Sequence, residues 1–149
     1  MSTITEASPS TRAVPAVTGL QHLGLTVRDI DASEAWYATV LGLVRVFVEA
    51  HRTGDGYAVV MTRPGTGLFV GLDHHPGADR DAFSPLRTGL DHLALQVDSR
   101  EAIDEWIAHL DELGVDHEPV FESGEPAPHA MVLLRDPDAI PIELFWYGG

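Results

Sequence analysis

The sequence predicts an α+β fold in which two βαβββ modules form a cup-like, curved mixed sheet with the helices outside. Three observations predict it. A nine-residue stretch, Gly19-Leu20-Gln21-His22-Leu23-Gly24-Leu25-Thr26-Val27, returns later as Gly89-Leu90-Asp91-His92-Leu93-Ala94-Leu95-Gln96-Val97. Each copy is followed by an acidic cap, an apolar helical stretch and a glycine. Each helix is followed by three β-patterned runs set apart by turn signals. A stretch that recurs in one chain points to a duplicated unit. A lone unit of this kind leaves its sheet edges open, so two must close against each other or against a second chain.

The elements follow in order. Leu23, Leu25 and Val27 alternate with His22, Gly24 and Thr26. Period two means a strand with one face on a core, and the histidine lies on the other face beside small residues. Asp31-Ala32-Ser33-Glu34 reads as a capping box with Asp31 as N-cap. The helix continues through Ala35–Leu41, with Trp36 and Val40, and Tyr37 and Leu41, one turn apart. Gly42 stops it. Leu43–Ala50 reads as a strand, 51–56 as a turn with Asp55-Gly56 as hairpin signal, Tyr57–Thr62 as a strand, 63–67 as a turn and Leu68–Leu72 as a fourth strand. Module one is 17–73.

The stretch 74–88, with Pro76, Gly77 and Pro85, is the linker. Module two, 89–149, restarts with a strand over Leu90–Val97. Asp98-Ser99-Arg100-Glu101 repeats the cap, and Ile103, Trp106, Ile107, Leu110 and Leu113 make a helical stripe that Gly114 ends. Strands follow at Val115–Phe121, Ala130–Arg135 and Pro141–Tyr147, the last two joined by the turn Asp136-Pro137-Asp138-Ala139. Residues 17–149 are therefore one domain. Residues 1–16, rich in Ser, Thr, Ala and Pro, read as a flexible tail.

Composition removes several function classes. A chain of 149 residues buries about 70% of its unfolded surface. It has no cysteine, which excludes disulfides, zinc-thiolate sites and cysteine nucleophiles and makes a cytoplasmic location the default. Net charge is −14, with nine Arg and no Lys. No nucleic-acid partner is expected, because such a surface needs clustered positive charge. No membrane partner is expected either: anionic lipid is disfavoured, no apolar run approaches the ~20 residues of a span, and the N-terminal stretch lacks a signal-peptide h-region.

The repeat also carries the candidate chemistry. In a cup, His22 and His92 face inward at pseudo-two-fold positions. The last strand adds a third group: Ile142 and Leu144 share one face, and Pro141, Glu143 and Phe145 the other. A carboxylate flanked by Ile and Leu in a strand is costly to bury without a partner. Taken singly, a strand histidine is an ordinary hydrogen-bonded residue and Glu143 an ordinary ion-pair partner. The repeat requires one explanation to work twice. Two imidazoles and one carboxylate suit a divalent metal with open positions, with Fe(II), Mn, Zn, Ni and Co all compatible. His129, opening the penultimate strand, is a candidate acid or base beside that set. Tyr57, opening the third strand, is a candidate cup-lining group. His51, His74, His75, His109 and His117 fall in turn, linker, helix and strand-start contexts and read as solvated. Trp36 and Trp106 read as core anchors.

His22-Leu-Gly-Leu-Thr-Val-Arg-Asp-Ile-Asp, Trp36-Tyr37 with Leu41-Gly42-Leu43, Gly89-Leu-Asp-His92, Leu113-Gly114-Val115 and Arg135-Asp-Pro-Asp-Ala-Ile-Pro-Ile-Glu143-Leu together resemble the vicinal oxygen chelate superfamily. It includes glyoxalase I, methylmalonyl-CoA epimerase, extradiol dioxygenases, fosfomycin-resistance thiol transferases and metal-free bleomycin-binding proteins. The resemblance spans about Gly19–Tyr147. It implies paired βαβββ modules, metal ligands at His22, His92 and Glu143, and a small-molecule substrate. Two departures narrow it. Glyoxalase I and the epimerase use a fourth ligand from the last strand of the first module; aligning Pro64 with Pro137 sets Val70 opposite Glu143, and Val binds no metal. The fosfomycin enzymes commonly carry Thr two residues after the first histidine, where this chain has Gly24, and their phosphonate calls for dense cationic donors in a chain without Lys.

The resemblance thus implies a divalent-metal-dependent enzyme, a lyase or isomerase or a ring-cleaving dioxygenase, that grips its substrate through vicinal oxygens. Glu143 after detachment, or His129, would serve as its base. The alternative is a metal-independent drug-binding protein of the bleomycin-binding type, to which the acidic charge is suited. A homodimer is expected. If its modules are exchanged through 74–88, His22 comes from one chain and His92 with Glu143 from the other.

Overall fold

The computed structural model describes residues 14–149, so the tail expected over 1–16 lies outside the described residues except for its last three. Ten elements follow: β1 Leu23–Thr26, α1 Ile30–Leu41, β2 Val44–Ala50, β3 Tyr57–Thr62, β4 Phe69–His74, β5 Leu93–Gln96, α2 Arg100–Leu113, β6 Phe121–Ser123, β7 His129–Arg135 and β8 Pro141–Tyr147. Two βαβββ modules are present, each with its own four-stranded sheet, ordered β1-β4-β3-β2 and β5-β8-β7-β6. In each, the first strand lies parallel to the last and the other pairs are antiparallel. No described helix is long and apolar enough to cross a membrane.

Several boundaries differ from the sequence reading. Asp29, not Asp31, caps α1: its backbone is extended (φ −140°, ψ 106°) and its Oδ1 accepts from the Ala32 amide at 3.0 Å. Asp31 instead sits in the first turn, where its charge favours the helix dipole. Ser99, not Asp98, caps α2, its Oγ accepting from the Ala102 amide at 3.1 Å. β1 and β5 begin at Leu23 and Leu93, so His22 and His92 stand just ahead of the hydrogen-bonded ladders and are exposed. The run 115–120 stays outside the sheet but for a bridge from His117 to Leu134; Pro119 has no amide to give a ladder. β4 continues to His74, two residues beyond the expected end.

Both helices end as expected, with Gly42 and Gly114 in the left-handed conformation at φ 67° and 66°. The two positions differ in surroundings. A Cβ on Gly42 would run into the Arg63 guanidinium, whereas one on Gly114 meets open space. That guanidinium is committed, donating to the Leu41 carbonyl at 2.5 Å. Gly114→Ala is therefore expected to lower stability by about 1 kcal/mol, the cost of a left-handed L-residue, and Gly42→Ala by about 2 kcal/mol. Urea unfolding of the two variants checks the difference.

The core is shared. Leu25, Tyr37, Met61 and Leu72 of module one join Ile103, Leu110, Leu134 and Ile142 of module two in one buried cluster. Polar bonds cross the same junction. Tyr37 Oη donates to Asp136 Oδ2 at 2.9 Å, Arg28 Nε to Asp138 Oδ1 at 2.5 Å, and His109 Nε2 lies 3.0 Å from the Val40 carbonyl. One face of each sheet is thus used for the common core, and the other face of each is left open.

Candidate metal centre

The open face of module two brings two of the three predicted ligands together. β5 runs parallel to β8 with Ala94 beside Glu143. His92 is two residues before Ala94, so it shares that face, and the small Ala94 side chain leaves the space between them free. His92 Nε2 lies 3.7 Å from Glu143 Oε2. That is too long for a direct hydrogen bond. It is close to the separation of about 3–3.5 Å that two ligands of one ion adopt when each bond is near 2.1 Å. Glu143 is only 13% exposed, and its strand neighbours Ile142 and Leu144 are buried in the core. The donor set fits a divalent cation at this pair.

The ring of His92 is already oriented. Its Nδ1 lies 2.7 Å from Asp91 Oδ1, which leaves Nε2 for the open face. The Asp91 hydrogen bond is the largest of the influences that raise the His92 pKa; burial opposes it, and the Glu143 charge adds to it. A carboxylate behind an imidazole in this way fixes the ring and strengthens the free nitrogen as a donor.

His22 is elsewhere. Its Nδ1 contacts the Gln21 side chain, and it lines a groove of about 390 Å³ on module one with Gly24, Phe47, His51, Gly71 and Asp73. Neither His92 nor Glu143 lines that groove. Within one chain the predicted set is divided two and one. A cavity of about 490 Å³ between the modules is walled by Leu41, Leu43, Leu68, Leu95 and Trp106 and holds none of the three.

The register corrects one inference about the first module. Gly24 pairs with Gly71 as Ala94 pairs with Glu143, so the counterpart of Glu143 is Gly71 rather than Val70. Val70 is in the core. The space above the two glycines is filled from further along β4: a Cβ on Gly24 would stand 2.9 Å, and one on Gly71 3.4 Å, from Asp73 Oδ2.

The two remaining candidates are not beside the pair. Tyr57 has the parity of Val59 and Met61 and packs with them on the core side, its ring 5.2 Å from that of His74. It does not line the cup, which corrects the expectation; alternation along β3 settles its face. His129 does share the open face with Glu143, but it pairs with Tyr147 while Leu133 pairs with Glu143. Four residues of strand separate the two rows by about 13 Å. Its ring stacks on Phe145 at 5.8 Å, and its Nδ1 is engaged with the Ala127 carbonyl at 2.9 Å.

One cluster went unread in the sequence. Among the described residues, His51, Asp73 and His75 have ligand atoms all within 4.8 Å of one another. The strand order separates them: His51 follows β2, Asp73 lies near the end of β4, His75 follows it, and β3 runs between. Gly56, just ahead of β3, is the side-chain-free position that lets the His51 ring cross.

A family model described as the Glyoxalase/Bleomycin resistance protein/Dioxygenase superfamily matches residues 19–144. Among solved structures, a glyoxylase/bleomycin resistance protein/dioxygenase domain from Frankia sp. EAN1pec is 30% identical, with TM-score 0.77, covering 89% of this chain and 99% of that one. A lactoylglutathione lyase from Agrobacterium tumefaciens is 22% identical, with TM-score 0.67 and coverage of 89% and 96%. The fosfomycin resistance protein FosX from Listeria monocytogenes, solved with Mn(II) and sulfate, is 20% identical, with TM-score 0.61 and coverage of 88% and 93%. The last two likenesses are of fold. No curated protein sequence matches the chain.

Proposed function

This chain belongs to the Glyoxalase/Bleomycin resistance protein/Dioxygenase superfamily, and from that premise we propose that it is a divalent-metal-dependent enzyme acting on a small substrate with two neighbouring oxygens. The observation that carries the reading is the His92–Glu143 pair, 3.7 Å apart on an open sheet face with Asp91 behind the imidazole. His22 is the third ligand. Because it lies on the other module's open face, we assign it to the site of a partner copy in a homodimer in which module one of each copy faces module two of the other.

The surface supports that assembly. All seven residues of β2 are exposed, and Val44, Val46, Phe47 and Val48 are each about half-exposed at 48–52%. β2 is an edge strand of its sheet. A long apolar edge of this kind invites pairing. Phe121, on the edge strand β6 of the other sheet, is 52% exposed.

A bound divalent ion would supply Lewis-acid stabilisation of the negative charge that develops on the substrate oxygens. The chain's own residues do the rest. His92, Glu143 and the partner's His22 would hold the ion, and Asp91 keeps the His92 ring oriented. Ala94 leaves the floor of the cup low beside His92 and Glu143. Glu143 is the carboxylate at the pair that can accept a proton in lyase or isomerase chemistry. His129, about 13 Å along the sheet, lines the far end beside Phe145. FosX, solved with Mn(II), is a fold relative in which such an ion occurs.

Metal content tests the reading. Asp91→Asn is expected to weaken Mn(II) or Zn(II) binding at this centre by roughly 10- to 100-fold, and Glu143→Ala by more. Titration calorimetry of chelator-treated protein reads both. If His92→Ala and Glu143→Ala leave the ion affinity unchanged, the enzyme reading fails, and the acidic chain stands instead as a binder of cationic small molecules.

A further inference from the structure

We propose that His51, Asp73 and His75 form a second divalent-cation site, carried by module one and the first residue beyond its last strand, and separate from the His92–Glu143 centre. It does not depend on the assembly or on the function proposed above. The ligand atoms of the three residues all lie within 4.8 Å of one another. His51 Nε2 is 2.9 Å from Asp73 Oδ1, and the His51 and His75 rings are 4.5 Å apart. Tetrahedral coordination with bonds near 2.05 Å sets ligand atoms about 3.3 Å apart. One pair is already close to that, and His75, exposed at the rim, closes the third position by side-chain rotation.

The backbone around the cluster is built and tied. The His51 amide donates to the Gly56 carbonyl at 2.9 Å, the Val27 amide to the Asp73 carbonyl at 3.1 Å, and the Ala78 amide to the His75 carbonyl at 2.9 Å. Two glycines make the space. A Cβ on Gly56 would strike the His51 ring, and one on Gly24 would stand 2.9 Å from Asp73 Oδ2. Side chains at either place would displace a ligand. His51 and Asp73 are only 18% and 22% exposed, so water competes for them weakly.

The chemistry selects the occupant. Two imidazole nitrogens and one carboxylate oxygen favour Zn(II), Co(II) or Ni(II) over Mg(II) or Ca(II), which prefer all-oxygen shells. Three protein ligands leave one position for water or an anionic group. The site opens into the same groove as His22, so a ligand held there borders the cup without using His92 or Glu143.

The test uses the full chain, stripped with a chelator, in a Glu143→Ala background that disables the other centre. Calorimetric titration with Zn(II) is expected to show one ion per chain, and Co(II) to give the intense visible absorption of a tetrahedral site. Adding His75→Ala or Asp73→Asn is expected to weaken Zn(II) binding by at least about 100-fold and to remove the Co(II) bands. His75 is exposed, so its loss leaves the fold intact, and circular dichroism verifies this. If the Glu143→Ala chain binds no Zn(II), or if His75→Ala and Asp73→Asn leave its affinity unchanged, the second site is refuted. An ion lost with Glu143→Ala alone refutes this site while leaving the His92–Glu143 centre in place. An ion lost with His75→Ala alone supports this site and counts against the other.

Discussion

Asp136→Ala is expected to lower unfolding free energy by about 3–5 kcal/mol, a large share of what a domain of this size possesses. Asp136 is 5% exposed and its two oxygens serve three donors. Oδ1 accepts from the Asp138 and Ile140 amides at 2.8 and 2.9 Å. Oδ2 accepts from Tyr37 Oη at 2.9 Å. Removing the carboxylate strands all three, and Tyr37 is fully buried, so no water replaces the lost acceptor. The Tyr37 bond also joins α1 of module one to the β7–β8 turn of module two. Tyr37→Phe removes one donor and leaves Asp136 two amides, so its cost is smaller, about 1–2 kcal/mol. Chemical denaturation of the two variants measures both.

The same carboxyl imposes a pH dependence. Burial pushes the Asp136 pKa above the ordinary 3.8. The Ile140 amide, Tyr37 and the Asp138 amide pull it down, and the Asp138 charge adds to the rise. A folded-state pKa above the unfolded one means the protonated form favours folding. The contribution is fully present below the unfolded value and is lost as pH rises through the folded one. Asn at this position does not titrate. The stability advantage of wild type over Asp136→Asn should therefore be widest near about pH 4 and narrower at about pH 7. An advantage that grows with pH would contradict the assignment.

How much was legible in the sequence depended on the kind of information each residue carries. The repeat around His22 and His92 revealed both modules, and Gly42 and Gly114 marked both helix ends because only a left-handed stop explains a glycine there. The β3 and β8 ranges matched because turn signals bound them on both sides. The caps were misplaced by one or two residues: Asp29 and Asp31 are chemically equivalent, as nearly are Asp98 and Ser99, and only backbone dihedrals distinguish them. The shared face of His92 and Glu143 was legible from strand parity, but the adjacency of β5 and β8 that brings them together was not. The remoteness of His22 from them in one chain was not, since it depends on how two sheets turn about a common core. Tyr57 was readable and misread, because its alternation with Val59 and Met61 already places it on the buried face. The His51, Asp73 and His75 cluster needed the strand order β4-β3-β2 and the gap at Gly56, neither of which a linear pattern states.

The second large effect concerns the proposed shared centre. With His22 from one copy and His92 and Glu143 from the other, both His22→Ala and Glu143→Ala homodimers lack a complete centre. A dimer containing one chain of each kind has one complete centre: the Glu143→Ala chain lends His22, and the His22→Ala chain lends His92 and Glu143. The other centre in that dimer lacks both groups. Random reassortment makes half of the dimers mixed, so roughly one centre in four is restored. Both chains should also carry His75→Ala, so that only this centre is counted.

The decisive measurement is Mn(II) or Zn(II) bound per chain after the two variants are unfolded and refolded together, set beside each refolded alone. The expected result is negligible binding by either variant alone and recovery of roughly a quarter of the capacity of the His75→Ala parent in the mixture. A mixture that binds no more than its separate components, or a His22→Ala chain that keeps full capacity by itself, would contradict a centre shared between two copies.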